Sequence, residues 1–441
     1  MNCAQLLMLL LMTLAVNLLL LGCGADTPSL PKIQLQLTEP KFVGVSDPSQ
    51  ILLPNILPLP ELGQPMLELP FKTTLRRITD RSAKAGFGTH IYSQLQAFDP
   101  DETFVLLIED GEYVVRAVDS LKKLPLDLRD INAPRWHPTL PHTLIFYDSN
   151  QNKEIELQSV DVEVGDVAPL YTFPKQYSRV RNNQSFDEVS RDGRWITGMA
   201  AMANGDSVIF SSDMTDGMMR AELSLAELYS TVCKPDPQYG NVEPDWVSAS
   251  PLGKWLVVQW ARAGTTRCSG LETFDIFTGE YVGRVYDGIQ HGDLGVMPGG
   301  KDEFFMTFEM THPLNNGQPG QGLRLLPGEY KGVQKPVYLQ MMDWGTQGHI
   351  SCQGPAGLCL VSGSGDPATM QVPFAGELFL QFTDGRIMRL AHHHSTECRY
   401  WSQPRASISQ SGRYAIFASD WGNCGDTDNS EAYILELSET N

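Results

Sequence analysis

The sequence has little positive charge. Its 441 residues include 33 Lys and Arg against 52 Asp and Glu, which gives a formal net charge of −19. Nucleic-acid binding needs a basic surface, so this balance argues against a nucleic-acid partner and against electrostatic attachment to an anionic membrane. No Walker A, Rossmann glycine, HExxH or GxSxG motif occurs in a credible context, and no Ser-His-Asp or Cys-His arrangement can be identified. The common nucleotide-dependent and serine- or cysteine-hydrolase classes are therefore disfavoured.

Turn-forming residues are frequent. The chain contains 39 Gly and 29 Pro, which indicates many turns and few long helices. Apolar residues make up 42%, which is enough to bury a core. The length predicts two or three domains, or one large architecture built by repetition.

An apolar run from Leu6 to Leu21 opens the chain and is short for a membrane-spanning helix, which needs roughly 20 residues. It ends in Gly22-Cys23-Gly24, which resembles the lipobox of bacterial lipoproteins, although residues 1–5 carry no Lys or Arg. We expect a signal peptide over 1–22 and lipidation of Cys23. The protein would then be exported and membrane-anchored, in the outer membrane or at the cell surface. The alternative is an ordinary signal peptide that is cut nearby.

Six further cysteines follow Cys23. An even number in an exported protein predicts disulfides, and no CxxC spacing suggests a zinc cluster. Pairing of neighbours is the simplest of the fifteen connectivities, and it joins Cys233 to Cys268, Cys352 to Cys359 and Cys398 to Cys424.

Proline is concentrated between residues 24 and 72. Because proline blocks helix and ladder hydrogen bonds, residues 23–72 are predicted to form an extended tether from the lipidated cysteine to the body. The apolar stretch Ile51 to Leu59 should pack along that body.

From residue 73 to 441 the chain repeats one pattern, in which a turn rich in Ser, Asp, Pro and Gly precedes an alternating apolar strand. The three clearest turns are Ser190 to Trp195, Ser250 to Trp255 and Ser409 to Tyr414. Four weaker turns begin near Asp99, His137, Met297 and Gln353, and His137 and His142 are expected at the surface of theirs. We also expect a short amphipathic helix over residues 220–229.

Seven such units predict an all-β fold, a seven-bladed β-propeller of four-stranded antiparallel blades. The stretch Leu75 to Thr79 stands before the first unit, and we expect it to close the ring beside the strand Ala432 to Leu437. The competing hypothesis is two β-sandwiches in tandem.

The Ser-x-Asp-Gly-Arg turn and the last unit, Gln403 to Trp421, resemble the TolB-like propeller repeat. The last unit is also similar to the closing repeat of oligogalacturonate-lyase-type propellers. This resemblance implies the propeller fold, and it is compatible with scaffolds, peptidase accessory domains and polysaccharide lyases.

Residues just before the turns should converge near the axis of a propeller, on the usual ligand face. The candidate ligand-binding or catalytic residues are His90, Arg135, Asp245, His291, His349, Gln403 and Arg405. One divalent metal ion is the cofactor that imidazoles and an amide oxygen could hold there, with His291, His349, His393 and Gln403 as candidate ligands. A histidine at such a position can equally cap a loop carbonyl.

Uronate lyases need a base for the proton next to the carboxylate and a cation that stabilises the enolate-like intermediate. His291 or His349 could be the base, and Arg135 or Arg405 could bind the carboxylate. In the oligogalacturonate lyases the closing repeat carries Gln-x-x-His-x-His, which binds manganese. Tyr400, Gln403 and Arg405 occupy those three places here, so the family's metal ligands are not reproduced.

Three functions follow as hypotheses. The first is a lipid-anchored, monomeric propeller that binds an extracellular glycan or an envelope protein without chemistry. The second is a polysaccharide lyase, which requires the candidate histidines to lie within about 15 Å of one another. The third is an envelope scaffold of the TolB kind.

Overall fold

The computed structural model describes residues 41–81, 84, 86–128, 131–148, 155–180 and 189–437. The predicted signal peptide and Cys23 lie outside these residues. The described chain from Lys41 onward belongs to one compact unit. In this part of the chain no helix is long and apolar enough to cross a membrane.

Five antiparallel sheets have four strands each, and in each the strands lie in chain order. The first contains β6 (Ile131–Trp136), β7 (Thr143–Asp148), β8 (Glu156–Asp161) and β9 (Val167–Thr172). The second contains β10 (Tyr177–Val180), β11 (Trp195–Met202), β12 (Ser207–Asp213) and β13 (Met218–Ser224). The third contains β14 (Pro244–Ala249), β15 (Trp255–Trp260), β16 (Leu271–Asp275) and β17 (Tyr281–Tyr286). The fourth contains β18 (Gly292–Val296), β19 (Glu303–Glu309), β20 (Gly320–Leu325) and β21 (Val337–Met341). The fifth contains β22 (His349–Ser351), β23 (Leu358–Ser362), β24 (Glu377–Phe382) and β25 (Ile387–His392).

The remaining strands form one eight-stranded sheet from both ends of the described chain. Its strands are β1 (Pro65–Glu68), β2 (Thr73–Arg77), β3 (Gly88–Thr89), β4 (Phe104–Glu109), β5 (Glu112–Ala117), β26 (Ser407–Ile408), β27 (Tyr414–Ser419) and β28 (Glu431–Glu436). A single parallel pair, Gly88 with Glu431, joins the β3–β5 part to the rest. The predicted number of seven blades stays a prediction, because this pair merges the strands of the first and last repeats into one sheet.

The N-terminal strand pairs with the C-terminal strand, as predicted. β2 lies antiparallel to β28, with Leu75 opposite Leu435. The segment before it also contacts the body, since Val45 bridges to Arg389 and the Arg77 guanidinium donates to the carbonyl of Pro60. This segment, part of the predicted tether, therefore lies along the sheets.

The recurrent turn explains why the repeats are visible in the sequence. Ser190, Ser250 and Ser409 each accept, through the side-chain oxygen, a hydrogen bond from the backbone N–H of the aromatic residue five positions later, over 2.9, 3.0 and 3.0 Å. The glycine three positions after each serine has positive φ, between 66° and 77°. In the first repeat, Asp99 takes the place of the serine and accepts from the N–H of Phe104.

The core lies between neighbouring sheets, where alternate strand residues interdigitate. Leu378 and Leu380 of β24 pack with Ala415 and Phe417 of β27, and all four are fully buried. All three disulfides form as predicted, between Cys233 and Cys268, Cys352 and Cys359, and Cys398 and Cys424. Two helices are present in the described residues, α1 (Leu225–Thr231) and α2 (Pro367–Met370), with a 3-10 turn at Tyr400–Ser402.

The helix expected over residues 220–229 is displaced. Residues 218–224 form β13, and α1 begins only after Ser224, whose side chain accepts from the N–H of Glu227. Pairing with β12 overrides the helical pattern before this cap.

Candidate functional site

Three of the predicted histidines come together with Arg405, and we call these four residues the histidine–arginine group. His90 follows β3, His291 precedes β18, His349 begins β22 and Arg405 precedes β26. The group therefore draws on three sheets whose strands are far apart in sequence.

His291 and His349 stack against each other. Their ring centroids are 4.4 Å apart and the planes are inclined by 21°. Nδ1 of His291 lies 2.8 Å from the carbonyl oxygen of Gly348, so Nδ1 carries the proton and Nε2 keeps a lone pair in the neutral ring. His291 is exposed whereas His349 is buried beneath it. The exposed member of the pair thus keeps one basic nitrogen.

Arg405 carries a buried positive charge. Its side chain is fully buried, and no carboxylate is among the described groups that act on its charge. One nitrogen, Nη2, has no hydrogen-bond partner, and Nε donates over 3.3 Å to the carbonyl of Gln403. Burial lowers the pKa of Arg405, and the nearby Tyr400 and Tyr92 oppose this. A guanidinium stays protonated under such conditions, so the charge persists.

Aromatic rings surround this charge. The Arg405 guanidinium carbon lies 4.6 Å from the ring centroid of Tyr400, 4.8 Å from that of Trp401 and 5.9 Å from that of Tyr92. Tyr92 also meets His349 edge to face at 5.3 Å. Tyr400 is half exposed. Cation–π attraction and stacking thus hold the cation below an aromatic surface.

The buried histidines of the group are neutral. Burial lowers the pKa of His90 to about 3, and its Nε2 lies 2.6 Å from the carbonyl of Arg405. Burial also lowers the pKa of His349 well below its ordinary value, and the charges of His291 and Arg405 add to this effect. Among the buried members of the group, the charge at neutral pH therefore resides on Arg405.

Asp245 lies at the edge of the group. Burial of its carboxyl raises the pKa, and the nearby His291 acts in the opposite direction. Its backbone lies in β14, and the side chain is buried on one side while the residue remains open to solvent. It is the one candidate carboxylate whose charge reaches the exposed histidine.

Three sequence candidates are not joined to the group. Arg135 is buried and donates to the carbonyl of Pro134, and its charge acts on Tyr113 rather than on the histidines. Gln403 contributes its backbone carbonyl to Arg405, but its side chain forms no hydrogen bond to the histidines within the described chain. His393 bonds to the carbonyl of Gly363 over 3.0 Å and lines a different cavity.

Sequence reasoning missed the aromatic residues. Tyr92 stands two residues after His90, and Tyr400 with Trp401 precedes Gln403 and Arg405. Their adjacency to candidate polar residues was the available signal, but aromatic residues in a β protein are usually core.

The candidate metal set does not fit an ion. His291 and His349 present ring faces to each other, whereas a metal needs both nitrogens directed at one point. Nδ1 of His291 is occupied by the Gly348 carbonyl, and His393 lies elsewhere. Of all residues described, only Asp99, Asp101 and His142 bring three such ligand atoms within 4.8 Å of one another.

That grouping joins the first turn to the second, and a proton on His142 satisfies it. Nδ1 of His142 lies 2.8 Å from Glu163 and Nε2 lies 3.1 Å from Asp101. Partial burial disfavours protonation, but the hydrogen bond to Glu163 and the charge of Asp101 outweigh it and raise the pKa of His142. An imidazolium between carboxylates accounts for the arrangement.

Comparison with known proteins supports the fold. An oligogalacturonate lyase solved in complex with manganese is 12% identical, with a TM-score of 0.58 over 90% of this chain and 99% of that chain. A second oligogalacturonate lyase, from Vibrio parahaemolyticus, is 10% identical, with a TM-score of 0.57 over 88% of this chain and 98% of that chain. TolB from Acinetobacter baumannii is 14% identical over 67% of this chain and 62% of that chain, and its TM-score of 0.34 is too low to carry an argument. No protein-family model and no curated protein matches the sequence.

The chain therefore has a β-propeller fold of the kind seen in oligogalacturonate lyases, as the repeats predicted. At these identities the likeness establishes the fold alone.

Proposed function

We propose that this chain is an exported, lipid-anchored β-propeller that binds an acidic polymer, such as a uronate-containing glycan, at the histidine–arginine group. The anchor at Cys23 is the part of this proposal that rests on sequence alone. The site is the part that rests on geometry.

One observation carries the ligand class. Arg405 is a fully buried cation without a carboxylate partner in the described chain, and one of its nitrogens has no hydrogen bond. Burying an unpaired charge is costly, and the neighbouring neutral histidines add no counter-charge. A ligand carboxylate near this position would supply the missing negative charge, while the exposed ring of Tyr400 offers a surface for a sugar ring.

The test is binding of polygalacturonate to the full-length protein in mild detergent, measured by isothermal titration calorimetry. We expect Arg405→Gln to weaken binding about tenfold or more, because hydrogen bonds and contacts to charged groups are strong. Arg413→Gln is the matched control, since Arg413 is an exposed cation 4.6 Å from the ring of Tyr414.

A second variant keeps the test decisive if Arg405→Gln misfolds. His291 is exposed, so His291→Ala should fold and should also weaken binding. Equal affinity of both variants and wild type would refute the site. Absence of binding to any acidic glycan would shift attention to an envelope protein as the partner.

A second candidate function is β-elimination of uronate polymers. It is favoured by the 4.4 Å stacking of His291 on His349, which meets the requirement that the histidines lie close together. The tautomer of His291 leaves Nε2 unprotonated on an exposed residue, as a general base requires.

In this reaction Nε2 of His291 takes the proton from the carbon next to the uronate carboxylate. The electron pair forms a carbon–carbon double bond and the neighbouring glycosidic C–O bond breaks. The leaving oxygen then takes up the proton held by the His291 imidazolium, which regenerates the neutral base. The positive charge of Arg405 would stabilise the enolate-like intermediate.

The lyase test follows the ultraviolet absorbance of unsaturated ends during incubation with polygalacturonate. A rise that His291→Ala abolishes would establish the enzyme. No rise in absorbance, together with intact binding, would show a binding protein without lyase activity on this polymer.

A further inference from the structure

The segment over residues 51–69 exposes many aliphatic side chains, and we call these side chains the aliphatic strip. Of the eleven Leu and Ile side chains that are exposed in the described residues, seven lie in this segment and four elsewhere. The seven are Ile51, Leu53, Ile56, Leu59 and Leu62 before β1, with Leu67 and Leu69 in and after β1. Their exposed fractions run from 44% to 103%. Single exposed leucines are ordinary, whereas such a concentration indicates a contact surface.

The strip carries almost no charge. Between residues 51 and 69 the only charged residues are Glu61 and Glu68. Glu68 is fully buried and lies 3.2 Å from Nε2 of His394, so Glu61 is the one exposed charge of the segment. The whole chain, in contrast, has a formal net charge of −19. The body would be repelled by an anionic surface, whereas an uncharged apolar environment suits the strip.

The body holds this segment by its backbone. Four side chains of the sheets and their connections donate to its carbonyl oxygens: Arg389 to Gln50 over 2.6 Å, His392 to Leu52 over 2.9 Å, Trp421 to Leu57 over 3.1 Å and Arg77 to Pro60 over 2.8 Å. Arg389, His392 and Arg77 are buried. Because moving the segment would leave these buried donors without acceptors, the exposed side chains between the held carbonyls stay at the surface.

The two parts of the strip adjoin at an edge of the eight-stranded sheet. β1 lies at one end of the strand order and pairs only with β2 among the described strands. The side-chain amide of Asn55 donates to the carbonyl of Leu69 over 3.1 Å, which brings the residues around Ile56 beside the end of β1. Leu52 and Phe71, in contrast, are buried against the body. The strip is therefore one surface at the outside of the sheet.

The position of the strip in the chain indicates what covers it. Ile51 lies 28 residues after Cys23, which carries the lipid in the proposed function. A chain of that length spans at most about 100 Å when fully extended, so an anchored protein keeps the strip within reach of the bilayer. Tethering makes the contact intramolecular, at an effective concentration on the order of millimolar. Even a weak apolar contact with the lipid would then be populated.

We propose that the aliphatic strip docks on an uncharged, zwitterionic lipid bilayer, with its side chains inserted at the boundary between headgroups and acyl chains. Amphipathic surfaces insert to this depth, where water still reaches the backbone. The inference rests on the proposed anchor at Cys23 for bringing the strip to the bilayer. It does not depend on the histidine–arginine group.

The test uses the full-length protein in phosphatidylcholine vesicles that include a phosphatidylcholine with a photoactivatable group in its acyl chain. Mass spectrometry after illumination shows which peptides contact lipid, and the mass of the N-terminal peptide shows whether Cys23 is acylated. We expect labelling over residues 51–69 to be about tenfold or more above that of the peptides with Leu140 and Leu314, which are also exposed. Labelling should persist in about 1 M sodium chloride, because the contact is not electrostatic.

A matched pair of variants locates the contact. The triple variant Leu53→Ser, Ile56→Ser, Leu59→Ser should reduce labelling of the segment about tenfold, because the attraction scales with the apolar area that is buried. The control variant Leu140→Ser, Ile289→Ser, Leu314→Ser changes side chains that are exposed outside the strip, and it should leave the labelling unchanged. Since all six positions are exposed, both variants should fold, and their urea midpoints would verify this.

The outcomes separate the docking from the anchor. Acylated Cys23 without excess labelling of the strip would overturn the docking proposal and leave the anchor intact. Labelling of the strip without acylation would support docking and refute the anchor, and absence of both would overturn both. Equal labelling of wild type and the strip variant would also overturn docking. Cross-linking of the strip to a second copy, without lipid label, would replace the bilayer by a dimer partner.

Discussion

The Cys398–Cys424 disulfide offers a clean test of how a cross-link stabilises this fold. Both cysteines are exposed, so replacing them with serine leaves no cavity and no buried polar atom. The bond spans 26 residues, and restriction of the unfolded chain by such a loop contributes about 3.5 kcal/mol. The double variant Cys398→Ser, Cys424→Ser should lose about this free energy of unfolding.

The measurement is urea unfolding followed by tryptophan fluorescence, with the free energy of unfolding of wild type and variant each extrapolated to water with its own m value. Reduction by dithiothreitol in native buffer is the matched chemical perturbation of the wild-type protein. It should reduce only this bond, because the other four paired cysteines are at most 6% exposed, and alkylation with mass spectrometry would identify the sulfurs that react.

A loss below about 1 kcal/mol would refute the loop-entropy reasoning, which predicts a value well above that for this span. The same variant should weaken polygalacturonate binding, because Tyr400 and Arg405 belong to the connection that Cys398 fixes. Unchanged binding would mean that the aromatic contacts alone position Arg405.

Three further predictions concern stability and location. Burial raises the pKa of the Asp293 carboxyl from its ordinary value of 3.8 to about 7. The folded state holds this proton more tightly, so stability should fall by about 3 kcal/mol as the pH rises from 4 to 7. Asp293→Asn should flatten that pH profile of urea midpoints, and an unchanged slope would contradict it. Ser409→Ala should cost about 1 kcal/mol, because the N–H of Tyr414 loses its acceptor in a buried turn, whereas an unchanged midpoint would remove the turn's role. Cys23→Ser should release the protein from the membrane fraction and abolish labelling by a fatty-acid analogue, and retention with label would refute lipidation.

The repeat pattern predicted the fold because each turn is specified locally. Ser250, Gly253 and Trp255 lie within six residues, and a hydroxyl acceptor, a positive φ and a buried ring are all readable from such a stretch. The disulfides were predictable for a related reason. Each joins two cysteines that are neighbours in sequence and lie in the same repeat or in adjacent repeats.

The site was predictable only in part. His291 and His349 were found because each stands at the start of a strand in the repeat frame. Arg135 has the same position in the sequence pattern, but a register shift in the pairing of β6 with β7, between Asn132 and Arg135, alters its direction. No local pattern reports such a shift.

The cavity lined by Asn55, Asp366 and Trp421 could not be predicted at all. It requires Asn55 to meet Asp366 and Trp421, which lie hundreds of positions later in the chain. His393 was assigned to the metal set because it precedes the last repeat, yet its neighbours are set by the loop at Gly363. Tertiary contact decides such cases, and sequence spacing does not.

The pairing of β2 with β28 also determines how the molecule would respond to tension. A pull from the N-terminal end acts along β2, while the ladder bonds to β28 run across that direction. All bonds of the ladder would then be loaded together, in shear, instead of being opened one at a time. The contacts of Val45 with Arg389 and of Arg77 with Pro60 add resistance along the same path. If the body is held by its N-terminal end, these contacts therefore resist the pull at the place where the force is applied.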